Sequence, residues 1–99
     1  MYKILYFEQV FIDVQEAKIW YKDQKEGLEI EFATAIENAI KQIIKMPTAY
    51  SPRYKNVRIA HPIIFPYNIH FYIDEDNKTI VFTGIVHNKR NPSIVKKRV

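Results

Sequence analysis

Residues 16–32 read EAKIWYKDQKEGLEIEF. Val14, Ala17 and Tyr21 recur at spacings of three and four, and Ile19 and Trp20 widen the stripe, which is the pattern of an amphipathic helix. Gly27 offers a left-handed stop. From Leu28 a second, longer pattern runs through Phe32, Ala35, Ile36, Ala39, Ile40, Ile43 and Ile44, and Pro47 ends it because proline cannot continue a helix. At 1.5 Å per residue the second helix is roughly 25 Å long. Its acids lie early (Glu29, Glu31, Glu37) and its lysines late (Lys41, Lys45), the order that complements the helix dipole. With only a turn around Gly27 between them, the two helices are expected to pack antiparallel as a hairpin.

Toward the N-terminus, Tyr2–Phe7 is an apolar and aromatic run interrupted only by Lys3, which predicts a buried strand. Asp13 precedes Glu16 by three residues, a capping-box spacing that predicts the first helix to start there. Beyond the loop MPTAYSPRYK the character changes to strands. Val57–Ala60 is short and basic. In YNIHFYID (67–74), Tyr67, Ile69, Phe71 and Ile73 alternate with Asn68, His70 and Tyr72, predicting one buried and one more polar face. The acidic turn DEDNK leads by a hairpin into TIVFTGIVH (79–87), where both alternating sets are largely apolar, as in a strand inside a sheet. In HNKRNPSIVKKRV, Asn91 is placed to cap a short final helix with Pro92 at its first position, and Lys96, Lys97 and Arg98 complement the dipole at its end. The expected architecture is α+β: an N-terminal strand, an αα-hairpin on a small antiparallel sheet of about four strands, and a short last helix, in one domain spanning 1–99.

Composition narrows the function. The 99 residues suit one hydrophobic core, and a 47% hydrophobic content with seven Tyr and six Phe argues against disorder. Cysteine is absent, so disulfides, thiolate metal sites and a Cys nucleophile are excluded, and a reducing cytoplasm is the expected compartment. The first residues are too broken by Lys3, Glu8, Gln9 and Asp13 for a signal-peptide core, and no run approaches the roughly 20 apolar residues of a membrane span. With Gly27 and Gly84 as the only glycines, glycine-rich phosphate loops are excluded. No set of His, Asp and Glu has ligand-like spacing, and no cofactor is expected. The net charge of +4 is unevenly spread, with a balance of −4 over residues 1–37 and +8 over 38–99. The basic second half is expected to face nucleic acid or an acidic protein partner.

Three motifs in this order resemble the RelE/ParE superfamily, the toxin halves of bacterial type II toxin–antitoxin modules, and its ParE branch in particular. The hairpin segment EAKIWYKDQKEGLEIEF resembles the family's helix–Gly-Leu–helix segment through Trp20, Tyr21, Gly27, Leu28 and Phe32. VRIAHPIIFPYNIHFY (57–72) is similar to its Val-Arg strand followed by Phe-Pro-Tyr, and IVHNKRNP (85–92) to its His-x-basic-Arg-x-Pro segment. The chain departs from the family at Ile59, where a second Arg is frequent, and at Val95, where an aromatic is common.

The resemblance implies a toxin neutralised by a cognate antitoxin whose partly disordered tail folds over hairpin and sheet. For the ParE branch it implies DNA gyrase as the target. For the RelE branch it implies ribosome-dependent, metal-independent mRNA cleavage. An inactive relative serving only as a binding module is a third reading. A homodimer and a toxin–antitoxin hetero-oligomer both stay open. The absence of a Tyr or His after Arg90, where RelE-type nucleases place a catalytic residue, favours the ParE branch. The implied target-binding set is Arg53, Lys55, Arg58, His87, Lys89 and Arg90. Were the chain a nuclease, His87, Arg58 and Arg90 would carry the reaction, imidazole supplying proton transfer near neutrality and the cations holding phosphate.

Each of these residues also has a plainer reading. His87 can simply close the last strand and bond the next turn. His70 alternates with Asn68 and Tyr72 and reads as a solvated cross-strand residue, and His61 beside Pro62 as a loop residue. Arg58, among apolar neighbours, calls for a partner and reads equally well as an ion pair with an acid of the hairpin.

Overall fold

The computed structural model describes residues 1–91 and 93–99; the expected position of Pro92 at the start of a helix lies outside them. In chain order the elements are β1 (Lys3–Tyr6), α1 (Glu8–Gln24), α2 (Leu28–Lys45), a short 3₁₀ turn at Pro47–Ala49, β2 (Pro52–Tyr54), β3 (Val57–Ala60), β4 (Tyr67–Asp74), β5 (Thr79–His87) and α3 (Ser93–Lys96). The strands form one five-stranded sheet in the order β1-β5-β4-β3-β2. β1 runs parallel to β5 and the remaining pairs are antiparallel. The sheet is therefore mixed, with one strand more than expected. The extra strand is β2, three residues of the stretch read as a loop. Among the described residues no helix is long and apolar enough to cross a membrane.

The helical hairpin forms as its spacing requires. Gly27 adopts φ 94°, in the left-handed region that glycine enters without a Cβ clash, and its carbonyl accepts the first bonds of α2 from Ile30 and Glu31. Its own N–H donates to Glu29 Oε1 at 2.8 Å. Val10, Ala17 and Tyr21 of α1 and Phe32, Ile36 and Ile43 of α2 close over Ile69, Phe71, Ile80, Phe82 and Ile85 of the sheet to form the core. Aromatic contacts dominate its upper part. Tyr21 lies 5.1 Å from Phe32 and 5.1 Å from Phe65, ring centre to ring centre.

β5 keeps its apolar residues on the core by means of a bulge. His70 is opposite Gly84 but Phe71 is opposite Phe82, so Thr83 is an extra residue in β5. The core-facing set consequently switches from Ile80 and Phe82 to Ile85. On the other face of the sheet, residues 93–99 pack across β5. Val95 is fully buried there, and a Cβ on Gly84 would stand 2.9 Å from Val95 Cγ1 and 2.7 Å from Arg98 Nη1. Only glycine permits this approach.

α1 begins at Glu8, five residues before the expected start, and Asp13 is no cap. Continuing the helix toward the N-terminus buries Val10 and sets Phe11 5.6 Å from Tyr6, a gain that outweighs a cap worth about 1 kcal/mol. Asp13 is instead buried. β1 stops pairing at Tyr6 opposite Phe82, so the next peptide groups along the β5 edge have no strand beside them. Asp13 Oδ2 accepts the Ile85 N–H at 3.0 Å, and Arg98 Nη1 donates to the Thr83 carbonyl at 3.0 Å. The two side chains pair with each other through Nη1–Oδ2 at 2.7 Å and Nη2–Oδ1 at 3.2 Å. Arg98, expected to complement the α3 dipole alongside Lys96 and Lys97, is thus a half-buried structural cation.

Replacing Asp13 by Ala strands the guanidinium and orphans the Ile85 N–H. The expected loss is about 3 kcal/mol, the lower end for a broken buried pair because residues 93–99 can swing Arg98 into water. Urea unfolding of Asp13→Ala against the parent measures it, and an unchanged midpoint would show that the pair contributes nothing.

Candidate interaction surfaces

The six sequence-selected residues fall in three places. His87, Lys89 and Arg90 stand together where β5 ends. The Lys89 N–H donates to His87 Nδ1 at 3.0 Å, so the neutral ring carries its proton on Nε2. The imidazole meets the Tyr67 ring edge-on at 5.3 Å and 77°. His87 therefore does close the last strand and bond the next turn. Beside it a cleft of about 160 Å³ is bounded by Glu16 and Trp20 from α1 and by Tyr67, His87 and Arg90. Trp20 is 56% exposed, and Phe11, Ile12 and Ile19 of the same helix are exposed too. Burial, reinforced by the neighbouring Tyr21, pushes the Tyr67 hydroxyl up to about 12, and Arg90 pulls the other way. Tyr67 is thus a neutral wall of this cleft at physiological pH.

Arg53 and Lys55 lie on the opposite side of the sheet order, on β2 and the turn after it. Lys55 takes a positive φ of 48° and its Nζ donates to the Val99 carbonyl at 3.4 Å. Lys96 Nζ stands 5.1 Å from the centre of the Tyr54 ring, a cation–π distance. With the exposed Lys97, these residues form a second basic surface that joins the β2–β3 turn to residues 93–99. Lys96 and Lys97 were legible only as a helix terminus, because nothing in the spacing links residue 54 to residue 96.

Arg58 belongs to neither cluster. It pairs with Phe71 on β4, whereas His87 pairs with Tyr67, four residues further along. At 3.4 Å per residue that is about 13 Å along the strand, with β4 between the two. Nor does it pair with an acid of the hairpin: its Nη1 donates to the Tyr50 carbonyl, and its buried Nε has no partner among the described residues. A main-chain oxygen delivered by the 3₁₀ turn meets the need that the sequence assigned to a carboxylate.

His70 is not solvated. It is 1% exposed, because residues 93–99 and Tyr54 cover the face of β4 that alternation marked as polar. The Tyr54 hydroxyl and His70 Nδ1 are 3.0 Å apart, and Nε2 has no partner among the described residues. Burial, with Arg98 adding to it, pushes the imidazole down to about 4. His61 is a loop residue, its ring nitrogen Nδ1 donating to the Tyr67 carbonyl at 3.1 Å.

No family model matches the chain, and no curated protein matches it significantly. Among solved structures, a chain from "Chromosomal ParDE TA system from P. aeruginosa" superposes with a TM-score of 0.77. The match covers 88% of this chain and 96% of that chain at 13% sequence identity. The two chains share a fold, the α+β arrangement of a terminal strand, a helical hairpin, a sheet and a short last helix.

The fold holds His70 neutral while the unfolded chain titrates it near its ordinary 6.5. Its contribution is complete above about pH 6.5 and is lost as pH falls toward about 4, since unfolding then takes up a proton. Melting temperature measured between pH 7 and pH 5 is expected to fall more steeply for the parent than for His70→Gln. Parallel profiles would show that this imidazole is not held neutral by the fold.

Proposed function

We propose that this chain is the toxin of a type II toxin–antitoxin module, held inactive in the cytoplasm by a cognate antitoxin and acting by binding DNA gyrase. The observation that carries the reading is the fold shared, over nearly all of both chains, with a chain of a ParDE TA system. The surfaces suit the role. A partner segment that is apolar on one side and acidic on the other can cover Phe11, Ile12, Ile19 and Trp20 and reach Lys89 and Arg90 next to them.

A binding mechanism is favoured over bond-making by the placement of the candidate catalytic set. Proton transfer and phosphate stabilisation must act on one atom within hydrogen-bond reach. Arg58 stands about 13 Å along the sheet from His87, by the strand spacing, and its guanidinium already serves the Tyr50 carbonyl. Contact with a target needs no such convergence, only exposed cations such as Lys89, Arg90, Arg53 and Lys55.

The test is growth arrest on induction, with and without the neighbouring reading frame, read beside a gyrase-dependent DNA-cleavage assay and a ribosome-dependent mRNA-cleavage assay. We expect arrest that the neighbour relieves and DNA cleavage that persists in His87→Ala. Reversing charge at Lys89 and Arg90 is expected to weaken both. Ribosome-dependent cleavage abolished by His87→Ala would replace this reading with the nuclease. Absence of arrest with every arm intact would leave a binding module.

A further inference from the structure

The outward face of α2 carries a groove that none of the preceding surfaces uses. Ile30, Thr34, Asn38 and Gln42 form its floor along about 18 Å of helix, and Ile63 and Ile64 from the loop between β3 and β4 form its wall. Its volume is about 390 Å³. The apolar residues around it are strongly exposed: Ile30 by 67%, Ile63 by 73% and Ile64 by 89%. Ile64 also holds φ 75°, a left-handed conformation that a β-branched residue adopts only at a cost of order 1–3 kcal/mol. Strain and exposed apolar area in the same loop mark a surface that is covered in use.

The charges along α2 say by what. Glu31, Asn38 and Lys45 are spaced seven apart, so they share one face of the helix, with the amide midway between an acid and a base. All three are exposed, and neither charge has an ion-pair partner among the described residues. A second α2 laid antiparallel on this face, with a two-fold axis at Asn38, sets Glu31 of each copy against Lys45 of the other. The amides meet on the axis, where each can donate to and accept from its twin. The small residues Thr34, Ala35 and Ala39 let the helices approach, and Ile30 of each copy meets the exposed Met46 of the other. Because the axis makes every contact twice, the face is complementary to itself in charge and polarity.

We propose that the α2 groove is the two-fold interface of a homodimer of this chain, its occupant the α2 helix of a second copy. The dimer is independent of which target the chain acts on. It leaves the His87–Arg90 cleft and the Lys55–Lys96 surface outside the contact, so each dimer displays both surfaces twice.

The chain has no cysteine, so Asn38→Cys introduces the only thiol. A thiol on the axis faces its own copy across helices close enough for the Cα separation of about 5–6 Å that a disulfide needs. Mild oxidation of purified Asn38→Cys is expected to give a disulfide-linked dimer, and Glu37→Cys, off the face, is expected to give none. In analytical ultracentrifugation Glu31→Lys alone and Lys45→Glu alone are each expected to weaken dimerisation roughly tenfold or more, and the double exchange to restore it. Circular dichroism of each variant confirms that it folds, which is expected because all four positions are exposed. A parent chain that stays monomeric at millimolar concentration overturns the proposal. So does a dimer indifferent to both charge reversals, or a groove occupied only by a helix of another protein.

Discussion

A single carboxylate, that of Asp13, is held from three directions, and the two layers of the fold meet through it. α1 supplies the side chain, the β5 edge supplies the Ile85 N–H at 3.0 Å, and residues 93–99 supply the Arg98 guanidinium at 2.7 Å. The need arises because β1 is only four residues long. Past Tyr6 the chain must turn into α1, and peptide groups of the sheet's second strand would face a helix that has no free backbone groups to offer them. Asp13 and Arg98 stand in for the missing strand, one accepting from the sheet and one donating to it. Burying two charges is costly, and here each is matched both to the other and to the backbone.

The two basic surfaces inherit their positions from this clasp. Arg98 draws residues 93–99 across the sheet, which seats Val95 against Gly84 and brings Lys96 over Tyr54. Tyr54 in turn meets His70, so the buried imidazole, the β2–β3 turn and the last residues are fixed as one unit. The other basic surface is anchored from the α1 side. Ile85 and Val86 are held beside α1, and His87 emerges from them against Tyr67 to set the turn that carries Lys89 and Arg90. A structure organised in this way can present cations in two directions without bringing them to a common reacting atom. That distribution underlies the preference for a binding role.

Most of the architecture was legible in the sequence because it is written in local periodicity. The α2 stripe, the left-handed Gly27 and the β4–β5 hairpin all rest on spacings within one element or across one turn. Asp13 shows where that reading stops. Its distance from Glu16 is that of a capping box, but its real partners are Ile85 and Arg98, 72 and 85 residues away. His70 misled for the same reason: alternation correctly separated the faces of β4, but only the path of residues 93–99 buries the polar one. Arg58 was rightly marked as needing a partner, and the partner was a main-chain oxygen, which composition does not reveal. The basic character of the second half was legible, whereas its division into two surfaces depended on strand order.

Amide hydrogen exchange at Ile85 probes the clasp at its centre, because that N–H lies on a strand edge and donates to a side chain, the Asp13 carboxylate. If the Asp13 carboxylate closes the edge as described, Ile85 exchanges only through global unfolding, as slowly as Phe82 within the paired part of β5. Asp13→Ala, which leaves no side-chain acceptor, should then release Ile85 to fast local exchange while Phe82 stays protected. An Ile85 amide that exchanges rapidly in the parent chain, or as slowly in Asp13→Ala as in the parent, would contradict the account.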